Sequence, residues 1–202
     1  IARIPIVVGG ADVSGVNVVI NAAFNLTGRV SIEGMSAAES AASLSQIRVR
    51  PLRDPDIFGQ PAALTRDPVP SGTDGTFTLT GIGPGDYRVF VEPFIIPPRI
   101  VPPPPPPGPL QWMYVKAIRL GNLDVLSQGL HINGPLDRQL EVVIGKAGEV
   151  RGRVIDSRQQ PVINATVAAI PEASQRNRPE LYKKARTDAS GRFRMFGIAP
   201  GD

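Results

Sequence analysis

The sequence predicts an all-β chain built of sandwich units set in tandem. Three observations predict it. Short runs alternate apolar and polar residues with period two, and turn residues separate them. No long amphipathic helix interrupts them, which favours a sandwich or barrel. The chain also matches itself. Residues 16–30 (VNVVINAAFNLTGRV) align without a gap on residues 140–154 (LEVVIGKAGEVRGRV), setting Ile20 on Ile144, Gly28 on Gly152 and Val30 on Val154. Residues 74–86 (DGTFTLTGIGPGD) match residues 188–202 (DASGRFRMFGIAPGD), with Gly75 on Gly191, Gly81 on Gly197 and Asp86 on Asp202. Residues 9–13 match 121–125. A spacing of about 120 residues suits tandem domains and is too long for a solenoid repeat.

The elements follow in order. Residues 1–20 read as the last two strands of a preceding copy, or as strands donated to another molecule. Residues 21–144 make a complete unit. Its strands are expected at 16–30 (bent near 21–23), 47–52, 77–80, 87–93, 113–120 and 139–144. In residues 26–30 and 150–154 the apolar ends share a face with a central glycine, and a mid-strand glycine marks a bulge or a close approach. Ile47 and Val49 point inward and Arg48 and Arg50 outward. The alanine-rich stretch 36–45 is an inserted loop or one short helix, since an isolated helix of that length is marginal. Residues 53–72 read as a long loop. Residues 145–202 make a second, truncated unit with strands at 149–155, 165–170, 183–187 and 192–196. It stops before a counterpart of the strand that starts at Tyr87. The expectation is a chain cut from a longer array, or one whose missing strands another molecule supplies.

Residues 97–109 form a proline-rich loop, with an unbroken run from Pro102 to Pro107. Such a run favours polyproline II, which serves either as a stiff connector or as a ligand for an aromatic groove. Trp112 and Tyr114 follow it. Together with Pro102 and Pro107 they are the candidate contacts for a glycan or peptide partner; the plainer reading packs the two aromatics under the loop.

Composition excludes several classes of function. Cysteine is absent, so there is no disulfide framework and no thiol chemistry. No apolar run is long enough to span a membrane, and no signal peptide is visible. Residues 1–144 carry 11 basic and 12 acidic side chains, and residues 145–202 carry 11 and 6. The basic excess falls on Arg176, Arg178, Lys183, Lys184 and Arg186. Only Tyr182 lies among them, so no stacking platform for nucleic acid forms, and the stretch reads as a solvated face.

The pattern TDxxGxFxxxGIxPGDY carries a resemblance. It stands here as Thr73 to Phe77 with Gly81 to Tyr87, and again as Thr187 to Phe193 with Gly197 to Asp202, the first turn being the shorter. Upstream, Gly152-Arg-Val-Ile-Asp156 and Pro161-Val-Ile-Asn-Ala-Thr-Val167 resemble the opening of the same family. The chain is similar to the carboxypeptidase regulatory-like domains, a branch of the transthyretin-like (prealbumin-like) sandwiches. The resemblance implies tandem seven-stranded Greek-key β-sandwiches, Ig-like in layout, in a secreted or surface bacterial protein. It implies no particular activity, because such domains are mostly accessory, adhesive or stalk units. The motif residues are themselves fold-making: Asp, Pro and Gly build turns, and glycine supplies positive φ.

The residues offer little chemistry. His131 is the one histidine, beside a turn, and reads as a loop residue rather than a base. Catalysts among related folds need several histidines, so no catalytic residue, cofactor site or metal site is assigned. Asp54 with Asp56, or Asp74 with Asp86, could offer oxygens to calcium, but no twelve-residue loop pattern accompanies them. Asn25 and Asn164 open two Asn-x-Thr triplets whose side chains face away from the core, making them candidate glycosylation sites. The expected function is therefore a non-catalytic extracellular array forming a surface stalk, adhesin or filament, whose partners are its own copies or neighbouring repeats. The alternative is a carbohydrate- or peptide-binding accessory module of a larger secreted or outer-membrane protein.

Overall fold

The computed structural model describes residues 6–19, 22–54, 67–94, 108–176 and 178–201. The chain is mostly β. Its elements run β1 (Phe24–Ile32), helix α1 (Ala37–Leu44), β2 (Arg48–Arg53), β3 (Val69–Pro70), β4 (Thr76–Ile82), β5 (Gly85–Glu92), β6 (Met113–Leu120), β7 (Leu123–Asp124), the short helix α2 (Val125–Gln128), β8 (Leu130–Ile132) and β9 (Leu140–Lys146). One sheet has the order β4-β1-β9-β6-β7 and the other β3-β2-β5-β8. Every neighbouring pair is antiparallel except β1 and β9, which run parallel from Gly28 opposite Leu140 to Ile32 opposite Ile144.

Period-two alternation gives both sheets their inner face. Leu26 and Val30 of β1, Phe77 and Leu79 of β4, and Leu140, Val142 and Ile144 of β9 meet Ile47, Val49, Val89, Val91 and Ile132 from the opposite side in one core. Gly28 is the glycine of the inner face. A β-carbon there would lie 2.2 Å from the Phe77 ring and 2.7 Å from the Leu140 carbonyl oxygen. The mid-strand glycine thus marks a close approach, with an aromatic ring laid over bare backbone.

The alanine-rich stretch is helical because its start is capped. Ser36 Oγ accepts from the Glu39 amide at 3.4 Å, and Glu39 Oε2 accepts from the Ser36 amide at 2.8 Å, a reciprocal capping box. The Ser36 hydrogen bonds hold the Glu39 carboxyl below its ordinary range. Leu44 then anchors the helix in the core.

The remaining strands are β10 (Gly148–Arg153), β11 (Thr166–Ala169), β12 (Lys183–Arg186) and β13 (Arg192–Ile198), paired β10 with β13 and β11 with β12. The β10–β13 ladder matches β1–β4 position for position. Gly28 stands opposite Phe77 and Gly152 opposite Phe193; Leu26 opposite Leu79 and Val150 opposite Met195. The Val30 amide donates to Gly75 O and the Val154 amide to Gly191 O, both at 2.8 Å. Two buried hydroxyls also correspond. The Ser71 amide donates to Ile47 O at 2.9 Å, as the Thr187 amide does to Ala165 O at 3.0 Å. Their hydroxyls donate to Leu44 O and Val162 O.

Several expectations need correction. The turns before β4 and β13 have equal length, since Gly72 N donates to Thr76 O and Asp188 N to Arg192 O, each at 2.9 Å. Asp188 therefore corresponds to Gly72 rather than to Asp74. Each aspartate caps the turn from its own position: Asp74 Oδ1 accepts from the Thr76 amide and Asp188 Oδ1 from those of Ser190 and Arg192. These bonds hold both carboxyls below the usual range. Residues 6–19 form no strand and are exposed, and the expected strand at 16–30 begins only at Phe24. A strand needs a ladder partner as well as alternation, and among the described residues this segment meets none. The expected loop 53–72 gives Arg53 to β2 and Val69–Pro70 to β3; residues 55–66 lie outside the described residues. The strand expected at 139–144 runs from Leu140 to Lys146. Arg50 is half-buried instead of exposed, its guanidinium 3.2 Å from Glu92.

Candidate functional site

Ala147 alone separates β9 from β10, and its amide donates to the Trp112 carbonyl at 2.7 Å. This short link brings β13 against the turn Gly108–Trp112 that opens β6. Trp112 and Phe196 meet edge to face, with centroids 4.7 Å apart and planes at 83°. The Arg194 guanidinium lies 5.0 Å from the centre of the Phe196 ring. Gly197 has φ +69°, and a β-carbon on it would stand 3.5 Å from the Gln111 carbonyl oxygen. The positive φ is what favours glycine there, since the spacing itself is ordinary van der Waals contact.

Polar contacts complete the junction. The β6–β9 ladder shifts register between Val115 and Ala117, leaving Lys116 as the bulged residue. Lys116 pairs with Glu33 at 2.6 Å, and the Glu33 hydrogen bond raises its ammonium above the lysine range. Beside the bulge, Arg178 Nη2 donates to Val115 O at 3.2 Å, while its Nε donates to Glu180 at 2.7 Å. That ion pair is largely buried. Burial pushes the Lys183 ammonium below its ordinary range, and Glu180 partly offsets this. The basic stretch is thus divided. Arg176, Lys184 and Arg186 are exposed, while Arg178 and Lys183 are half-buried, contrary to the expectation of one solvated face. Glu149 receives two hydrogen bonds from Arg151, at 2.7 Å each, and one from Arg194. Those bonds lower its carboxyl to about 2.

A second feature is an open cleft of about 500 Å³ at the β5–β8 edge, lined by Asp54, Asp86, Tyr87, Gln128 and His131 among others. His131 lies in β8 rather than a loop, with Nδ1 2.6 Å from Asp86 Oδ1. Asp54 accepts from Arg88 Nε at 2.8 Å. The Tyr87 hydroxyl donates to Gly83 O at 2.7 Å and accepts from Arg53 Nε at 3.3 Å. Asp54, Asp86, Tyr87 and His131 each already have a protein partner. Among the described residues, no group of three or more His, Asp or Glu side chains gathers as a metal site.

The candidates from sequence separate. Trp112 joins the junction. Tyr114 lays its ring over Gly145, whose β-carbon would lie 2.9 Å from it. Pro102, Pro107 and Asp56 lie outside the described residues. Asn25 and Asn164 are exposed, as are Thr27 and Thr166; Asn25 Oδ1 accepts from the Gly81 amide at 3.3 Å. Sequence reasoning gave Phe196, Gly197 and Arg178 no part in a junction, and its one available signal was Gly197 recurring at the position of Gly81. Among the described residues no helix is long and apolar enough to cross a membrane. No family model, curated protein or solved structure matches the chain.

Proposed function

We propose that this chain is a non-catalytic structural protein. In this reading it is a tandem array of carboxypeptidase regulatory-like, Greek-key β-sandwich modules. The array builds an extracellular stalk or filament through module-on-module contact. The carrying observation is the junction, where a one-residue link, the Trp112–Phe196 pair and the Arg178–Val115 bond hold successive modules together. Strand order supports the module type. Two sheets, β4-β1-β9-β6-β7 and β3-β2-β5-β8, share one core as the layers of a sandwich do. The matching β10–β13 register supports the tandem reading. A flexible string of binding modules needs no such seam, whereas a load-bearing rod does.

Small-angle scattering tests this. The 202-residue chain is expected to fit one rigid two-module envelope. Trp112→Ala removes a half-buried indole and its ring pair, together worth about 2–3 kcal/mol, and is expected to widen the distribution of dimensions. A wild-type profile that requires freely moving modules overturns the reading.

A further inference from the structure

The outer face of the β10–β13 ladder carries four arginines in two directly opposed pairs. Arg151 stands opposite Arg194, and Arg153 opposite Arg192. All four side chains are exposed. The Val154 amide donates to Gly191 O. By alternation both arginine pairs are therefore of the kind not joined by backbone hydrogen bonds, whose α-carbons are only about 4.5 Å apart. Along each strand the two arginines follow one another at about 7 Å. Like charges set directly opposite one another destabilise a ladder.

The fold does not ask for these arginines. On the matching face of β1 and β4, Thr27 stands opposite Thr78 and Arg29 opposite Thr76, so threonine holds three of the four places. Those four residues are exposed although β1 and β4 belong to a two-sheet core. The corresponding face of β10–β13 is thus an outer surface whatever lies against its inner side. Glu149 closes one end of the face, where it accepts from both Arg151 and Arg194. It orients two guanidiniums and offsets one charge. Asp188, in the turn at the other end, accepts from the Ser190 and Arg192 amides. Four arginines against one glutamate leave the face strongly positive.

We infer that this face binds an acidic polysaccharide, a chain of carboxylate-bearing sugars. Every cation in the two pairs is arginine, whose planar fork suits a carboxylate held by two parallel hydrogen bonds. What else the face presents narrows the choice. Its aromatic residue, Phe196, is half-buried against Trp112, with the Arg194 guanidinium over its ring. That ring offers no open platform to a nucleobase, no anchor to a protein partner and no wedge for a lipid interface. The face consists of side chains, so it gives an added peptide strand no backbone edge to pair with. A sugar chain bearing hydroxyls and carboxylates needs only planar donors in exposed rows. The inference goes beyond the stalk reading and does not depend on it, since a single ladder of one module forms the face.

Biolayer interferometry of the 202-residue chain on immobilised polygalacturonate tests this. Wild type is expected to bind, and to bind less as salt rises. Neutral dextran, oligothymidylate, poly-glutamate and phosphatidylserine vesicles are expected to bind at least about tenfold more weakly. Arg153→Gln with Arg192→Gln leaves the Glu149 contacts in place. This variant is expected to bind polygalacturonate about tenfold more weakly, through the loss of charge-assisted bonds. It should melt no lower than wild type, because a repelling pair has gone. Lys184→Gln with Arg186→Gln removes the same charge from β12, where both side chains are exposed, and is expected to leave binding unchanged. Absence of binding to polygalacturonate, equal binding to any of the other four probes, an equal loss in the β12 variant, or a lowered Tm in the Arg153–Arg192 variant would each overturn the inference.

Discussion

Gly28 and Gly152 hold corresponding places in corresponding ladders, yet alanine at the two positions is expected to have unequal effects. At Gly28 the new methyl would stand 2.2 Å from the Phe77 ring and 2.7 Å from the Leu140 carbonyl oxygen. The ring belongs to a buried residue, and the carbonyl belongs to β9. Neither can retreat without disturbing the core, so overpacking falls toward the upper end of about 1–3 kcal/mol. Removing a glycine from the unfolded chain returns about 0.5–1 kcal/mol. Gly28→Ala therefore destabilises by about 2 kcal/mol, or a fall in Tm of about 4–8 °C for a protein of this size. At Gly152 the close atoms are those of the Phe193 ring, at 2.6 Å. Phe193 is only half-buried and its ring can swing away, so Gly152→Ala is expected to cost less than about 1 kcal/mol after the same entropic return. Urea denaturation followed by circular dichroism and by the fluorescence of Trp112, the sole tryptophan, measures both. Equal losses, or a Gly28→Ala variant as stable as wild type, would refute the idea that β9 sets the difference.

Two other outcomes are expected. Thr187→Val keeps the shape of the side chain but strands the Val162 carbonyl and the Ala165 amide, both bonded to the hydroxyl; a loss of about 1–3 kcal/mol should appear in urea denaturation of the single variant. Glu149, held at about 2 against an ordinary 4.5, contributes stability above pH 4.5 that is lost as pH falls toward 2. Asp74 and Asp188 are lowered too, so the informative quantity is the Tm difference between wild type and Glu149→Gln. It should shrink across that window, and a constant difference contradicts the assignment.

Much of the core was legible because alternation reports burial directly. Ile47 and Val49 were placed by period two alone, and the glycine's place on the inner face was visible, though not the ring that covers it. What escaped was whatever depends on partners distant in sequence. β8 is three residues long, too short for any pattern, and His131 entered a strand only because β5 lies beside it. The parallel choice of β9 by β1 has no local signal. Neither does Phe196 against Trp112, since each aromatic alone is compatible with core, surface or ligand contact. Residues 16–19 failed in the opposite sense: VNVV carries the alternation of a strand, but alternation provides no ladder.

The parallel neighbourhood of β1 and β9 has a mechanical consequence. The backbone enters the first sandwich at the start of β1 and leaves it at the end of β9. Tension along an array would pull these adjacent strands lengthwise past each other, in opposite directions. Every rung between Gly28 and Ile32 would then resist at once, instead of being unzipped one after another. Such a shear-loaded clamp lets a domain without a single disulfide bear a stretching force.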